Sequence, residues 1–309
     1  MKLFWGGRLG RMAFEFIRMT TAISHHYNPR VYLRQFTNPK AKNELWEYDL
    51  KKCTSKQSSP KNSGCEDFYH AFLQGDGKQD NDSVEKSFHF VENNLKKLFD
   101  AIRQPQPLSP ELWKVIFLFA AIQRSRNPKV LHSFQASLGK MYELEIDIYK
   151  SQPEFRKKIQ DAGLDPEKAK FDVKADRGNA LLMLLSRYPK LAELFCQMKW
   201  SFFCAPQNKF FITSDDPVCC WSAKDKGFVG PADKFCEITF PLSRKICAFG
   251  SWESTFNERI EITDKTVDAI NIRTFWNAWH CVYAPVEDKR ISEIIRQSGQ
   301  HACQSSKAV

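Results

Sequence analysis

The spacing of apolar positions divides the chain into a helical middle and a strand-rich end. In SVEKSFHFVENNLKKLF, Val84, Phe88, Val91, Leu95 and Leu98 recur at steps of four, three, four and three, which predicts a helix with one buried stripe. Ser83 stands where an N-cap is needed. A second helix, SPELWKVIFLFAAIQRSRN, opens at Ser109 and Pro110 and is almost wholly apolar as far as Gln123, the pattern of a central, buried helix. Pro128 restarts the chain into a helical stretch over about 129–160, and another follows over about 176–198. From residue 200 the texture changes. WSFFCAP, KFFITSDDPVCCW, FCEITFPLS and KICAFGS are short, aromatic and β-branched, and they read as four strands of a mostly antiparallel sheet. DKTVDAINIRTFWNAW then reads as a helix, WHCVYAP as a last strand and DKRISEIIRQS as a closing helix.

Upstream, KNELWEYDLKK alternates as a strand does, whereas residues 52–64, CTSKQSSPKNSGC, have the composition of a loop. The predicted class is α+β: the C-terminal strands and one N-terminal strand near residue 45 form a mostly antiparallel sheet, with a helical block over 83–198 on one side. The predicted domain spans 23–300, between an N-terminal extension at 1–22 and a loose tail at 301–309. Met12 and Met19 are alternative starts, so the extension is a candidate upstream-start artefact; its other reading is an amphipathic helix on a membrane surface. Arg8, Arg11, Glu15 and Arg18 interrupt its apolar runs short of a signal-peptide core, and no stretch is long enough to span a bilayer.

Composition changes this picture in three ways. An apolar content of 42% over 309 residues allows a sizeable core and excludes a disordered chain. The excess of 46 Lys and Arg over 36 Asp and Glu favours a polyanionic partner such as nucleic acid. Because the excess is spread along the chain, a solvated basic surface is the competing explanation. The ten cysteines include no CxxC, and most sit in apolar runs as small hydrophobes, which points to a reducing, cytoplasmic setting. Cys53 and Cys65 flank a loop and are the pair that could approach each other.

Four polar constellations carry candidate chemistry. Glu85, His89 and Glu92 form a second stripe on the first helix with the spacing of metal ligands; ordinary pairing of Glu92 with Lys96 and of Glu85 with the helix N-terminus is the alternative. In FITSDDPV, a buried strand runs into Thr213, Ser214, Asp215 and Asp216, where a carboxylate suits a divalent cation or a general base, or else an Asx turn. Gln123, Arg124 and Arg126 gather where the greasy helix ends, facing a phosphate or complementing the helix dipole. Arg126, Asn127 and His132 resemble the Arg-x(4–6)-His pattern of HEPN ribonucleases, with Pro128 interrupting the helix that motif occupies. In the opening box, SHHYNPRVYLRQF, His25 and His26 point to different sides, and Arg30 is a candidate fork for phosphate or carboxylate. Arg30 and Arg34 paired with surface acids is the plainer reading.

SHHYNPRVYLRQF, CEDFYHAF, VEKSFHFVENNL, IQRSRNP, FITSDDPV and FPLS occur in an order that resembles a bacterial and phage family known as domain of unknown function 4238. That family opens with a His-Tyr-x-Pro-x-x-Tyr-Leu-x-x-Phe box and carries a late Thr-Ser-Asp-x-Pro strand end. The resemblance covers residues 24 to about 245 and implies the pattern residues His26, Pro29, Tyr32, Leu33, Phe36, Glu66, Tyr69, Glu85, Glu92, Arg126, Ser214, Asp215 and Pro217, without His89. It brings no activity with it, but it implies that the boxes come as a set.

That set suggests a cytoplasmic, metal-dependent nuclease or phosphodiesterase, a candidate toxin or phage-defence effector. Glu66, Glu85, Glu92 and Asp215 would hold Mg or Mn, with His26, Glu85 and Asp215 catalytic and Arg30, Gln123 and Arg126 on the phosphate. Asp215→Asn would then remove activity and leave folding intact. One alternative is a non-catalytic module in which cations grip an anionic ligand or nucleic acid and the carboxylates order the arginines through buried ion pairs. A second is a metal-free HEPN-like ribonuclease working through Arg126 and His132.

Overall fold

The computed structural model describes residues 2–3, 24–41, 43–73, 78–80, 83–169, 171–173, 175–222, 224–225, 227–253 and 259–296. The predicted extension (apart from residues 2–3) and the predicted tail lie outside these residues.

Helices follow in the order α1 (Arg30–Leu33), α2 (Ser83–Ala101), α3 (Pro110–Ser125), α4 (Pro128–Lys150), α5 (Pro153–Asp161), α6 (Arg177–Leu185), α7 (Tyr188–Gln197) and α8 (Asp264–Asn277), with a last helical run at 289–296. Two starts form as the sequence dictates. Ser109 accepts the Leu112 N–H ahead of Pro110, and Asn127 accepts the Lys129 and Val130 N–H groups ahead of Pro128. At α2 the acceptor is Asp80 and not Ser83: the Asp80 carboxylate takes the Ser83 backbone N–H at 2.8 Å and its hydroxyl at 2.6 Å. The stretch predicted over 129–160 is two helices, because Pro153 cannot continue the ladder and begins α5 instead. The stretch predicted over 176–198 also divides, with a proline in the first turn of α7.

The class is α+β, with mostly antiparallel sheets. A six-stranded sheet runs in the order Gly227–Phe228, Cys219–Ser222, Cys236–Pro241, Ile246–Ser251, Lys199–Cys204 and Arg259–Glu261, and only its last pair is parallel. A four-stranded antiparallel sheet runs Thr213–Ser214, Cys281–Ala284, Leu45–Asp49 and Thr54–Ser58. The N-terminal strand therefore does join the C-terminal ones, through Tyr48 opposite Val282 and Tyr283 opposite Glu47. Thr54–Ser58 lies inside the predicted loop. It is an edge strand exposed over most of its length, so it carries no alternation to read.

Helix α3 is the centre of the core, as its apolar run requires. Trp113 stacks on Phe202 at 4.9 Å, and Phe119 meets Phe240 at 5.4 Å. The opening box enters this core beside it. Tyr32, Leu33 and Phe36 are fully buried. The Tyr32 hydroxyl lies 2.6 Å from Thr213 Oγ1 and donates to the Pro241 carbonyl at 2.8 Å, so one side chain touches both large sheets. Among the described residues the cysteines are free thiols, Cys53 and Cys65 included, and no helix is long and apolar enough to cross a membrane.

Gly64 fixes the path of the opening box. Its φ is +64°, and a Cβ placed there would stand 2.8 Å from the Asn28 Cβ and 3.1 Å from Leu33 Cδ1. Gly64→Ala is expected to lower stability by roughly 1–3 kcal/mol, from the left-handed backbone and the clash together. Urea unfolding of the variant beside the wild type measures this; an unchanged midpoint would show that the backbone here has room to move.

Candidate functional site

The sequence boxes meet at one polar junction beneath the end of the Thr213–Ser214 strand. Asn28 follows the Ser24–His26 strand, which pairs with Cys65–Asp67, and its backbone N–H reaches the Gly64 carbonyl. Its side chain is 1% exposed. Nδ2 donates to the Ser214 carbonyl at 2.8 Å, and Oδ1 accepts from Gln123 Nε2 at 2.7 Å. Gln123 Oε1 in turn accepts from Arg126 Nε at 2.7 Å, and Arg126 Nη1 donates to Glu92 Oε1 at 3.3 Å. The relay Ser214–Asn28–Gln123–Arg126–Glu92 thus joins the opening box, the end of α3, the strand end and α2. Phe88 packs under the guanidinium at 4.9 Å, and the Tyr69 hydroxyl donates to the Arg126 carbonyl at 2.6 Å. Arg126, expected on a phosphate, is 1% exposed and orders the junction from within.

Asp215 is fixed differently. Its carboxylate accepts the backbone N–H groups of Trp279 at 2.8 Å, His280 at 2.6 Å and Cys281 at 3.1 Å. It thereby anchors the turn between α8 and the Cys281–Ala284 strand. Burial pushes this carboxyl up to about 6, against the pull of those donors. Burial likewise pushes Asp216 up to about 6, with the Arg124 guanidinium drawing it down and Asp215 driving it further up.

Of the predicted metal ligands, Glu66, Glu92 and Asp215 each have a different partner. Glu66 is exposed and pairs with Arg177 at 2.7 Å, and that guanidinium lies 4.5 Å over the Tyr69 ring. Glu92 belongs to Arg126, and Asp215 to three backbone N–H groups. The side chain of Glu85 lies outside the described residues. Among the described residues no three His, Cys, Asp or Glu side chains gather as a metal-ligand group. His25 is buried, accepts the His70 backbone N–H at 2.8 Å and stacks on its ring, whereas His26 accepts from the exposed Arg30 at 2.8 Å. Arg126 and His132 fall on opposite sides of the Pro128 break: one is withdrawn into the core and the other is exposed on α4.

Beside the strand end, at Asp216, lies a cavity of about 450 Å³, lined among others by Arg124, Lys129, Ser133, Phe134, Asp216 and Asn277. Arg124 Nη1 lies 3.2 Å from the buried Asp216 and also donates to the Val218 carbonyl. Asn277 Nδ2 donates to the Asp216 carbonyl at 2.8 Å. Asn28, Lys129 and Asn277 escape a reading by residue type. The available signals are slight: an amide just before Pro29, and a polar residue at the end of α8.

A family model described as "Protein of unknown function (DUF4238)" matches residues 24–288. The chain belongs to this family. The relay passes through four of the sequence boxes, at Asn28, at Glu92, at Gln123 and Arg126, and at Ser214. Searches of the curated proteins and of the solved structures give no match.

Both aspartates hold a proton more tightly when folded than when unfolded, so their contribution to stability falls as pH rises from about 4 to about 6. Asp215→Ala strands three part-buried N–H donors and is expected to cost about 3 kcal/mol at pH 4.5. The variant lacks one of the two titrations, so its deficit should narrow by pH 7. Unfolding curves at the two pH values check this; a deficit that widens would mean that the ionised carboxylate is the form the turn holds.

Proposed function

We propose that the protein is a binding module for a phosphate-bearing anion, gripped by Arg124 and Lys129 at the cavity beside the Asp215–Asp216 strand end. The observation that carries this reading is the division of labour between adjacent arginines. Arg126 is turned inward to Gln123 and Glu92, and Arg124 is held by Asp216 at the cavity with its side chain still 26% exposed. A buried carboxylate beneath a guanidinium that stays partly exposed fixes the fork before any ligand arrives, which reduces the entropy lost on binding. Lys129 adds a second cation on the first turn of α4. Among the described residues the carboxylates of Glu66, Glu92, Asp215 and Asp216 order cations and backbone, which favours a non-catalytic module.

A fluorescent single-stranded oligonucleotide tests this by anisotropy, with Mg²⁺, Mn²⁺ and EDTA arms so that hydrolysis would be seen. Binding is expected to weaken as salt rises, by about one counterion per phosphate contacted, and to be indifferent to EDTA. Lys129→Gln should weaken it about three- to tenfold and Arg124→Gln more, with Arg124→Lys recovering part of the loss. Metal-dependent cleavage, or binding that ignores both substitutions, would overturn the reading.

A further inference from the structure

The cavity has an aromatic margin. His132 immediately precedes the cavity residue Ser133 on α4, and its ring lies 5.7 Å from that of Trp279. Trp279 follows the cavity residue Asn277 by two positions, and its ring lies 4.9 Å from that of His280. His132 is exposed, and Trp279 and His280 are half-buried. Phe228, 47% exposed, lines the cavity itself.

The turn that carries two of these rings is held in place. The three backbone N–H groups of the turn that carries Trp279 and His280 all end on the Asp215 carboxylate. The Trp279 ring has the His132 and His280 imidazoles as its ring neighbours, tilted at 37° and 46° to it, and the residue as a whole is half-buried. The His280 imidazole is drawn below its usual value by burial and by Lys51, which favours the neutral ring. The acids within electrostatic reach do not dominate: Glu66 is paired with Arg177 and Asp49 with Lys52.

We infer that His132, Trp279 and His280 form a stacking platform for an unpaired nucleobase, whose sugar-phosphate backbone runs to Arg124 and Lys129. The inference rests on the anion-binding reading above and narrows its ligand to single-stranded nucleic acid. Aromatic faces next to fixed cations are the combination that single strands use, since every base offers a π-face and every nucleotide a charge. Asp215 is then a positioning residue, acting through the turn it anchors.

The test compares a labelled RNA or DNA oligomer of about 12 nucleotides with the same sugar-phosphate chain lacking bases. The wild type should bind the base-bearing oligomer more tightly. Trp279→Ala should weaken that binding about tenfold, towards the abasic level, while leaving abasic binding unchanged. Trp279→Phe should retain most of the affinity, and a melting temperature close to wild type would separate lost stacking from lost structure. Equal wild-type affinity for both oligomers, or no effect of Trp279→Ala and His132→Ala, overturns the platform. If abasic binding is then still lost in Lys129→Gln, the anion reading stands alone. If the wild type binds neither oligomer, both readings fall.

Discussion

The amide of Asn28 is where the architecture is decided. It is a small group with one donor pair and one acceptor, and it serves two long-range partners at once, the Ser214 carbonyl and the Gln123 side chain. Removing either end would leave buried polar atoms that cost about 1–3 kcal/mol each. The relay therefore sets the register between the opening box, the exit of α3 and the late strand end more strictly than apolar contact does. Hydrophobic burial brings α3 against the six-stranded sheet, but it is tolerant of small shifts. The amide relay is not, because hydrogen bonds weaken within a few tenths of an ångström and a few tens of degrees. Tyr32 repeats the device nearby, with one hydroxyl shared between Thr213 and Pro241.

Much of the fold is legible in the chain because its signals are local. The stripe Val84–Leu98, the Ser109–Pro110 start and the aromatic strands after residue 200 each declare themselves within a few residues. Prolines were harder. Pro128 was readable as a restart, yet Pro153 and Pro189 divided helices that periodicity alone carried through. Thr54–Ser58 was illegible for another reason: both faces of an exposed edge are polar, so strand and loop share one composition. The site was legible as a set of boxes but not as a set of roles. Residue type marks Arg126, Glu92 and Asp215 as chemical, and only three-dimensional placement shows that they satisfy one another or the backbone. Conversely Asn28, Trp279 and His280 look unremarkable in the chain, since their importance lies in who meets them.

A carboxylate can hold a metal, take a proton or order a cation, and it cannot do these at the same time with the same lone pairs. In this protein the third use prevails at every described candidate except Asp215, where the backbone takes that place. Desolvation explains the arrangement. Burying Asp216 beneath Arg124 makes the ionised acid costly unless the guanidinium stays, and this confines the guanidinium to one place at the edge of the cavity. The same logic, applied one residue earlier, confines a turn instead of a cation: Asp215 holds three N–H groups and with them the backbone that carries two aromatic rings. Adjacent aspartates on one strand end thus control the two elements a single-stranded nucleic acid would need, a fixed charge and a fixed π-surface. A one-residue slip of this strand end would exchange the partners of the two acids and dissolve both elements together. That is a physical reason for the late box to be tied so firmly, through Ser214 and Asn28, to the box that opens the domain.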